Sequence, residues 1–173
     1  GEWVVFVRGG EHGSNWDDEK TMNALSMPFP EKVQIFSVPF KGGKPVALAE
    51  GAGPVISPNS DKVAFVKNKQ LWEVGINGKS EPKQLFSLRG GNSSPVWSPD
   101  GRMLAFVSDR DDHSFVGIYR GGGQPVQWVA PDFFHDHTPR WSPDGKKLLF
   151  VRQQADGGAP TPILQEQTAP WQL

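Results

Sequence analysis

A chain of 173 residues has the length of one compact domain, and a net charge of −1 leaves no excess of Lys and Arg to cover a phosphate backbone, so no nucleic-acid partner is expected. It has no cysteine, which excludes disulfides and thiolate metal sites, and no apolar run long enough to span a bilayer. Its 16 prolines and 20 glycines interrupt the sequence too often for long helices, so the chain reads as all-β.

The first strand is W-V-V-F-V at 3–7. A long segment follows at 9–31, roughly twice the length of the other equivalent loops. It carries Trp16 beside Asp17, Asp18 and Glu19, then Met22, Leu25, Met27 and Phe29, the composition of a loop that faces a partner or substrate. Strands are predicted at 33–38 and 46–48. A phrase then occurs three times: P-V-I-S-P-N-S-D-K-V-A-F-V at 54–66, P-V-W-S-P-D-G-R-M-L-A-F-V at 95–107 and P-R-W-S-P-D-G-K-K-L-L-F-V at 139–151.

Each phrase is a hairpin. A short apolar strand leads into Ser-Pro-Asp-Gly, where Pro presets φ and Asp and Gly tolerate the conformations that follow. A run such as Leu104-Ala105-Phe106-Val107 is the second strand. In the first copy Asn59 is expected to take the left-handed position and keep the turn. Two further strands follow, at 70–76 and 83–86 in one period and at 116–120 and 126–129 in the next, with Asn77-Gly78 a strong hairpin signal. Phe65, Phe106 and Phe150 recur 41 and 44 residues apart, the period of propeller blades.

The predicted fold is therefore a partial β-propeller of four-stranded antiparallel blades. An incomplete first blade spans 1–52, with its long loop at 9–31. A second blade spans 53–90 and a third 91–131. The first two strands of a fourth lie at 132–152, and a Pro-, Gly- and Gln-rich tail at 153–173 leads toward a missing remainder. A little over three blades is fewer than the roughly four to eight that close a ring, so a longer propeller is expected, with strand edges open to self-association.

In such a blade the loop between strands two and three lies on the same face as the connection between blades. Asp109, Arg110, Asp112, His113, His135, Asp136 and His137 are therefore expected on one rim, together with Trp16 on the long loop. A charged rim on a rigid scaffold suits partner or substrate contact. The plainer alternative is that Asp109 and Arg110 pair and cap their own turn. His135-Asp136-His137 has metal-ligand residue types, with both imidazoles on one side of an extended chain, but no third and fourth ligand is evident. The Ser-Pro-Asp-Gly turns lack the acidic spacing of a calcium loop. No metal and no cofactor is assigned. No G-x-S-x-G elbow occurs, so no catalytic residue is assigned either.

The W-S-P-D-G hairpins resemble the TolB-type, WD40-like repeats. The stretch 92–119, N-S-S-P-V-W-S-P-D-G-R-M-L-A-F-V-S-D-R-D-D-H-S-F-V-G-I-Y, is similar to the amino-terminal propeller of bacterial serine peptidases of the prolyl oligopeptidase family, as are P-R-W-S-P-D-G-K-K-L-L-F-V-R at 139–152 and Pro170-Trp171. That resemblance implies a non-catalytic propeller that gates or positions peptide substrate for an α/β-hydrolase domain of the same polypeptide, which this chain does not contain. The alternative is a TolB-like protein-interaction propeller with no enzyme attached. The sequence favours a periplasmic or secreted location over a cytoplasmic one.

Overall fold

The computed structural model describes residues 1–9, 32–154 and 161–166, which are strand, turn and irregular chain without a helix. Strands β1 (Trp3–Arg8), β2 (Gln34–Pro39) and β3 (Val46–Glu50) form a first sheet in chain order. Strands β4 (Ala52–Ile56), β5 (Lys62–Lys67), β6 (Gln70–Gly75) and β7 (Lys83–Gln84) form a second. In the third blade, β8 (Gly91–Trp97), β9 (Leu104–Asp109), β10 (Ser114–Tyr119) and β11 (Gln127–Val129) pair in succession. In the fourth, β12 (His135–Trp141) pairs β13 (Lys147–Gln153), which pairs β14 (Thr161–Glu166). All these pairings are antiparallel. One parallel bridge, Ser114 opposite His135, joins the third and fourth blades into a seven-stranded network.

The Ser-Pro-Asp-Gly turns hold themselves shut with side chains. The Ser98 hydroxyl donates to Asp100 Oδ1 at 2.6 Å and accepts the Met103 N–H at 2.9 Å, while Asp100 Oδ1 accepts the Arg102 N–H at 3.0 Å. Ser142, Asp144, Lys146 and Lys147 repeat this arrangement. The serine hydroxyl, then the backbone N–H, holds each carboxyl below the usual range. Gly101 and Gly145 take the left-handed position at φ 70° and 69°.

The worn copy departs from expectation. Its left-handed residue is Ser60, at φ 54°, and not Asn59. Ser60 is the fourth residue of the turn, the place of Gly101 and Gly145, so it adopts the left-handed angle there. The carboxylate is displaced along the chain too, since the Ser57 hydroxyl donates to Asp61 at 2.6 Å.

A second device recurs on the inner strands. Gly53, Ser94 and Thr138 have φ 59°, 53° and 55°, each stands directly before a proline, and each lies at a register shift of its strand pair. A bulge there absorbs the missing proline N–H and lets the strand continue on the amino-terminal side. Hence β8 starts at Gly91 and β12 at His135, several residues before Pro95 and Pro139, although the sequence predicts His135, Asp136 and His137 on the connection between blades. His135, Asp136 and His137 are strand residues.

The tail is likewise not irregular throughout, because Thr161–Glu166 pairs with β13 from Lys147↔Glu166 to Arg152↔Thr161. The open edge of β13 supplies unpaired backbone groups. An edge strand tolerates a proline such as Pro162 near its start, so the proline-rich composition does not prevent pairing.

The core lies between blades. Phe65, Phe106 and Phe150 are fully buried. Phe65 packs with Ile35 and Leu48 of the first blade, Phe106 with Ala64 and Leu71 of the second, and Phe150 with Ala105, Val116 and Ile118 of the third. Burial of one such side chain stabilises by about 1.5–3 kcal/mol. Small Ala64 and Ala105, on the opposite face of their strands, leave room for the next blade's phenylalanine. Phe6, at the same place in β1, stacks instead on Phe36 at 5.7 Å beneath the Arg8 guanidinium. Two tryptophans fasten neighbouring blades: the Trp97 indole N–H donates to the Val55 carbonyl at 3.3 Å, and Trp141 to that of Val96 at 3.0 Å.

Candidate functional site

The expected rim forms where β9 ends, β10 begins and the chain crosses to β12. Asp109 Oδ1 accepts the Asp111 N–H at 3.0 Å, and the Arg110 N–H donates to the His113 carbonyl at 2.8 Å. Asp109 thus caps its own loop. Asp111 completes the turn at φ 78°.

His113 is the centre of the rim. Its Nδ1 lies 2.6 Å from Asp112 Oδ1. That bond holds the Asp112 carboxyl below the usual range, with smaller help from its own backbone N–H and the nearby His113 and His135 rings. The His113 ring meets Phe115 edge-on at 4.8 Å and Phe133 at 5.5 Å. Phe115 continues the row to Trp128 at 5.6 Å, and the Arg110 guanidinium lies 5.6 Å from the Trp128 ring. Phe133 is 80% exposed at the end of this row. Arg110, Asp112, His113 and His135 therefore come together, and Phe115, Trp128 and Phe133 join them. The doublet Phe133-Phe134 within a polar connection was the available sequence signal for the last of these.

Asp136 points the other way and is fully buried. Its carboxylate receives two bonds from Arg152, each 2.8 Å. Arg152 also donates to the Ala130 carbonyl, lies 3.6 Å from Asp132 and stacks over Phe134 and Phe150. This residue fastens the crossover to the blade, a role the sequence reading missed. Its place two residues after Phe150, on the same side of β13, was the signal. His137 Nδ1 lies 2.8 Å from Thr138 Oγ1. Among the described residues no three acidic or histidine side chains converge as metal ligands. Ser114 donates its N–H to Phe134 and its hydroxyl to the Asp136 carbonyl, tying blade three to blade four. Trp16 lies outside the described residues.

The rim can therefore present a half-buried aromatic row that ends in the exposed Phe133, bordered by Arg110 and Asp112, on a scaffold stiffened by a buried ion pair. Among the described residues no helix is long and apolar enough to cross a membrane.

No known family's sequence model matches the chain. It is 36% identical over 62 residues to the Tol-Pal system protein TolB of Alcanivorax borkumensis, a stretch covering 34% of this chain and 14% of that protein. It is 36% identical over 76 residues to the TolB of Syntrophus aciditrophicus, covering 40% and 17%. The chain thus spans only a small part of the curated relatives it matches. The crystal structure of TolB from Acinetobacter baumannii superposes with a TM-score of 0.63 at 20% identity, over 78% of this chain and 35% of that one. The β-propeller domain of the Trilobed protease from Pyrococcus furiosus gives 0.59 at 20% identity, over 87% and 45%. Repeat, blade geometry and these likenesses together identify the described chain as part of a TolB-like β-propeller.

Proposed function

We propose that this chain is a protein-interaction propeller that engages peptide or protein partners through the rim of its third and fourth blades. The observation that carries this reading is Phe133, a large aromatic held in the open at the end of the row His113, Phe115 and Trp128. Exposed aromatic side chains beside Arg are the residue types that dominate interface energies. Peptides selected by phage display on the chain are expected to lose most of their affinity to the Phe133→Ser variant. Selected peptides that bind wild type and variant equally would remove the rim from this role.

A more specific reading is that the rim docks an α/β-hydrolase domain and gates peptide access to it. The similarity of residues 92–119 to prolyl oligopeptidase propellers and the fold shared with the Trilobed protease propeller favour it. The gene sequence downstream of residue 173 tests it. A G-x-S-x-G elbow followed by Asp and His supports a gating role, and further repeats ending in a stop codon leave the interaction module alone. A periplasmic or secreted location goes with either reading, and fractionation of the source cells would check it.

A further inference from the structure

The rim uses one end of the strands. At the other end, where the Ser-Pro-Asp-Gly turns lie, a cleft of about 450 Å3 opens between the second and third blades. Four cations, Lys62, Lys83, Arg102 and Arg120, line it with a single carboxylate, Glu73. That carboxylate is engaged by Lys62 at 3.4 Å, and the same Lys62 ammonium lies 4.9 Å from the Trp97 ring.

The other three cations are poorly matched. Among the described residues Arg102 approaches an acid only at 3.9 Å, where Asp100 and Arg102 are both largely exposed. Among the described residues the Arg120 guanidinium has only neutral acceptors, Gln127 Oε1 at 3.2 and 3.4 Å and the Met103 sulfur at 2.9 Å. A thioether is a weak acceptor for so strong a donor. Among the described residues the Lys83 side chain has no ion pair or hydrogen bond. Trp97 and Tyr119 supply aromatic wall, and around Gly121 and Gly122 no atom lies within 4 Å of where a Cβ would stand, so the mouth is open.

We propose that this interblade cleft binds a carboxylate-bearing peptide segment, with Arg120 and Lys83 meeting the carboxylates and Trp97 and Tyr119 the intervening apolar surface. The planar fork of Arg120 matches a carboxylate bidentately. Glu73 within the cleft opposes a densely charged polyanion, and the chain's net charge of −1 does the same at long range. The site is on the opposite face from the rim and stands or falls independently of it.

The test is a titration of the full chain followed by 1H–15N spectra, with three probes: blocked tetraglutamate, blocked tetraglutamine and inorganic phosphate. Tetraglutamate is expected to move the Trp97 indole and the Gly121 and Gly122 amides, and more weakly as salt rises. Tetraglutamine should leave them in place. Arg120→Gln and Lys83→Gln, both at exposed positions, should each weaken the interaction roughly three- to fivefold, the scale of an exposed ion pair, with the rest of the spectrum unchanged. The proposal is overturned if tetraglutamate moves nothing in the cleft, if tetraglutamine or phosphate acts equally well, or if the moved resonances cluster around His113 instead.

Discussion

Asn92 and Asp136 occupy the same place in the third and fourth blades, two residues before the left-handed bulge residue, and both are fully buried. Across the sheet, Asn92 stands opposite Ser108 and Asp136 opposite Arg152. The backbone is repeated; the chemistry is not. In the fourth blade a carboxylate meets a guanidinium through two 2.8 Å bonds. In the third, Asn92 turns to the preceding blade, its N–H donating to Lys69 at 2.8 Å and its amide to Gln70 at 3.3 Å. Among the described residues the Asn92 side-chain oxygen and the Ser108 hydroxyl find no partner. The repeat thus fixes where a buried polar group sits, while each blade finds its own partner, completely in one case and incompletely in the other.

Breaking the complete pair should have the largest effect. Arg152→Met leaves the Asp136 carboxylate buried and uncompensated, which is expected to cost about 3–5 kcal/mol in denaturant unfolding. The double variant Arg152→Met with Asp136→Leu should recover much of that loss, and a double-mutant cycle without coupling would show that the pair contributes nothing. The converse change, Asn92→Asp, places a carboxyl in the third blade with no cation. Burial raises its folded pKa above the unfolded value of about 3.9, so stability should fall by about 1–3 kcal/mol as pH rises past that range, and be near wild type in acid. A pH-independent loss would mean that the substitution creates a packing fault and not a buried charge.

Smaller still is Ser108→Ala. Removing a hydroxyl that has no partner among the described residues should change stability by less than about 1 kcal/mol, toward stabilisation, and a clear loss by thermal unfolding would reveal a partner for it. The mildest effect belongs to the surface turns. Asp100 and Asp144 have folded pKa values below the ordinary carboxylate range, so their contribution is present above that range and lost as pH falls through the lowered values. Replacing both with Asn should flatten the acid limb of the stability profile by removing that contribution, so the variant lies slightly below wild type at neutral pH and converges with it in acid.

The blades were legible because hairpin, turn and phenylalanine recur together: Ser98 through Gly101 and Phe106 name the same structure as Ser142 through Gly145 and Phe150. The bulge was not. Ser94 and Thr138 at positive φ carry no local preference for it, and the angle is set by the strand pairing around the following proline. For the same reason His135–His137 read as a loop. Of the rim, the loop charges Arg110, Asp112 and His113 were visible as a cluster, but the direction of Asp136 was not, because Arg152 lies 16 residues away and only the register of β12 with β13 brings them face to face. Thr161–Glu166 escaped because pairing to an open edge draws on backbone groups, which composition does not report.

The indole bonds of Trp97 and Trp141 each cross one junction between blades, and the junction between the first two blades has Ile56 at that place. Each of two neighbouring interfaces therefore carries its own spectroscopic reporter, an N–H resonance that shifts when that interface opens. In a linear array held by nearest-neighbour contacts, cooperativity is a property of the interfaces. The two signals, followed separately during unfolding, distinguish an array that comes apart as one body from one that peels from an end.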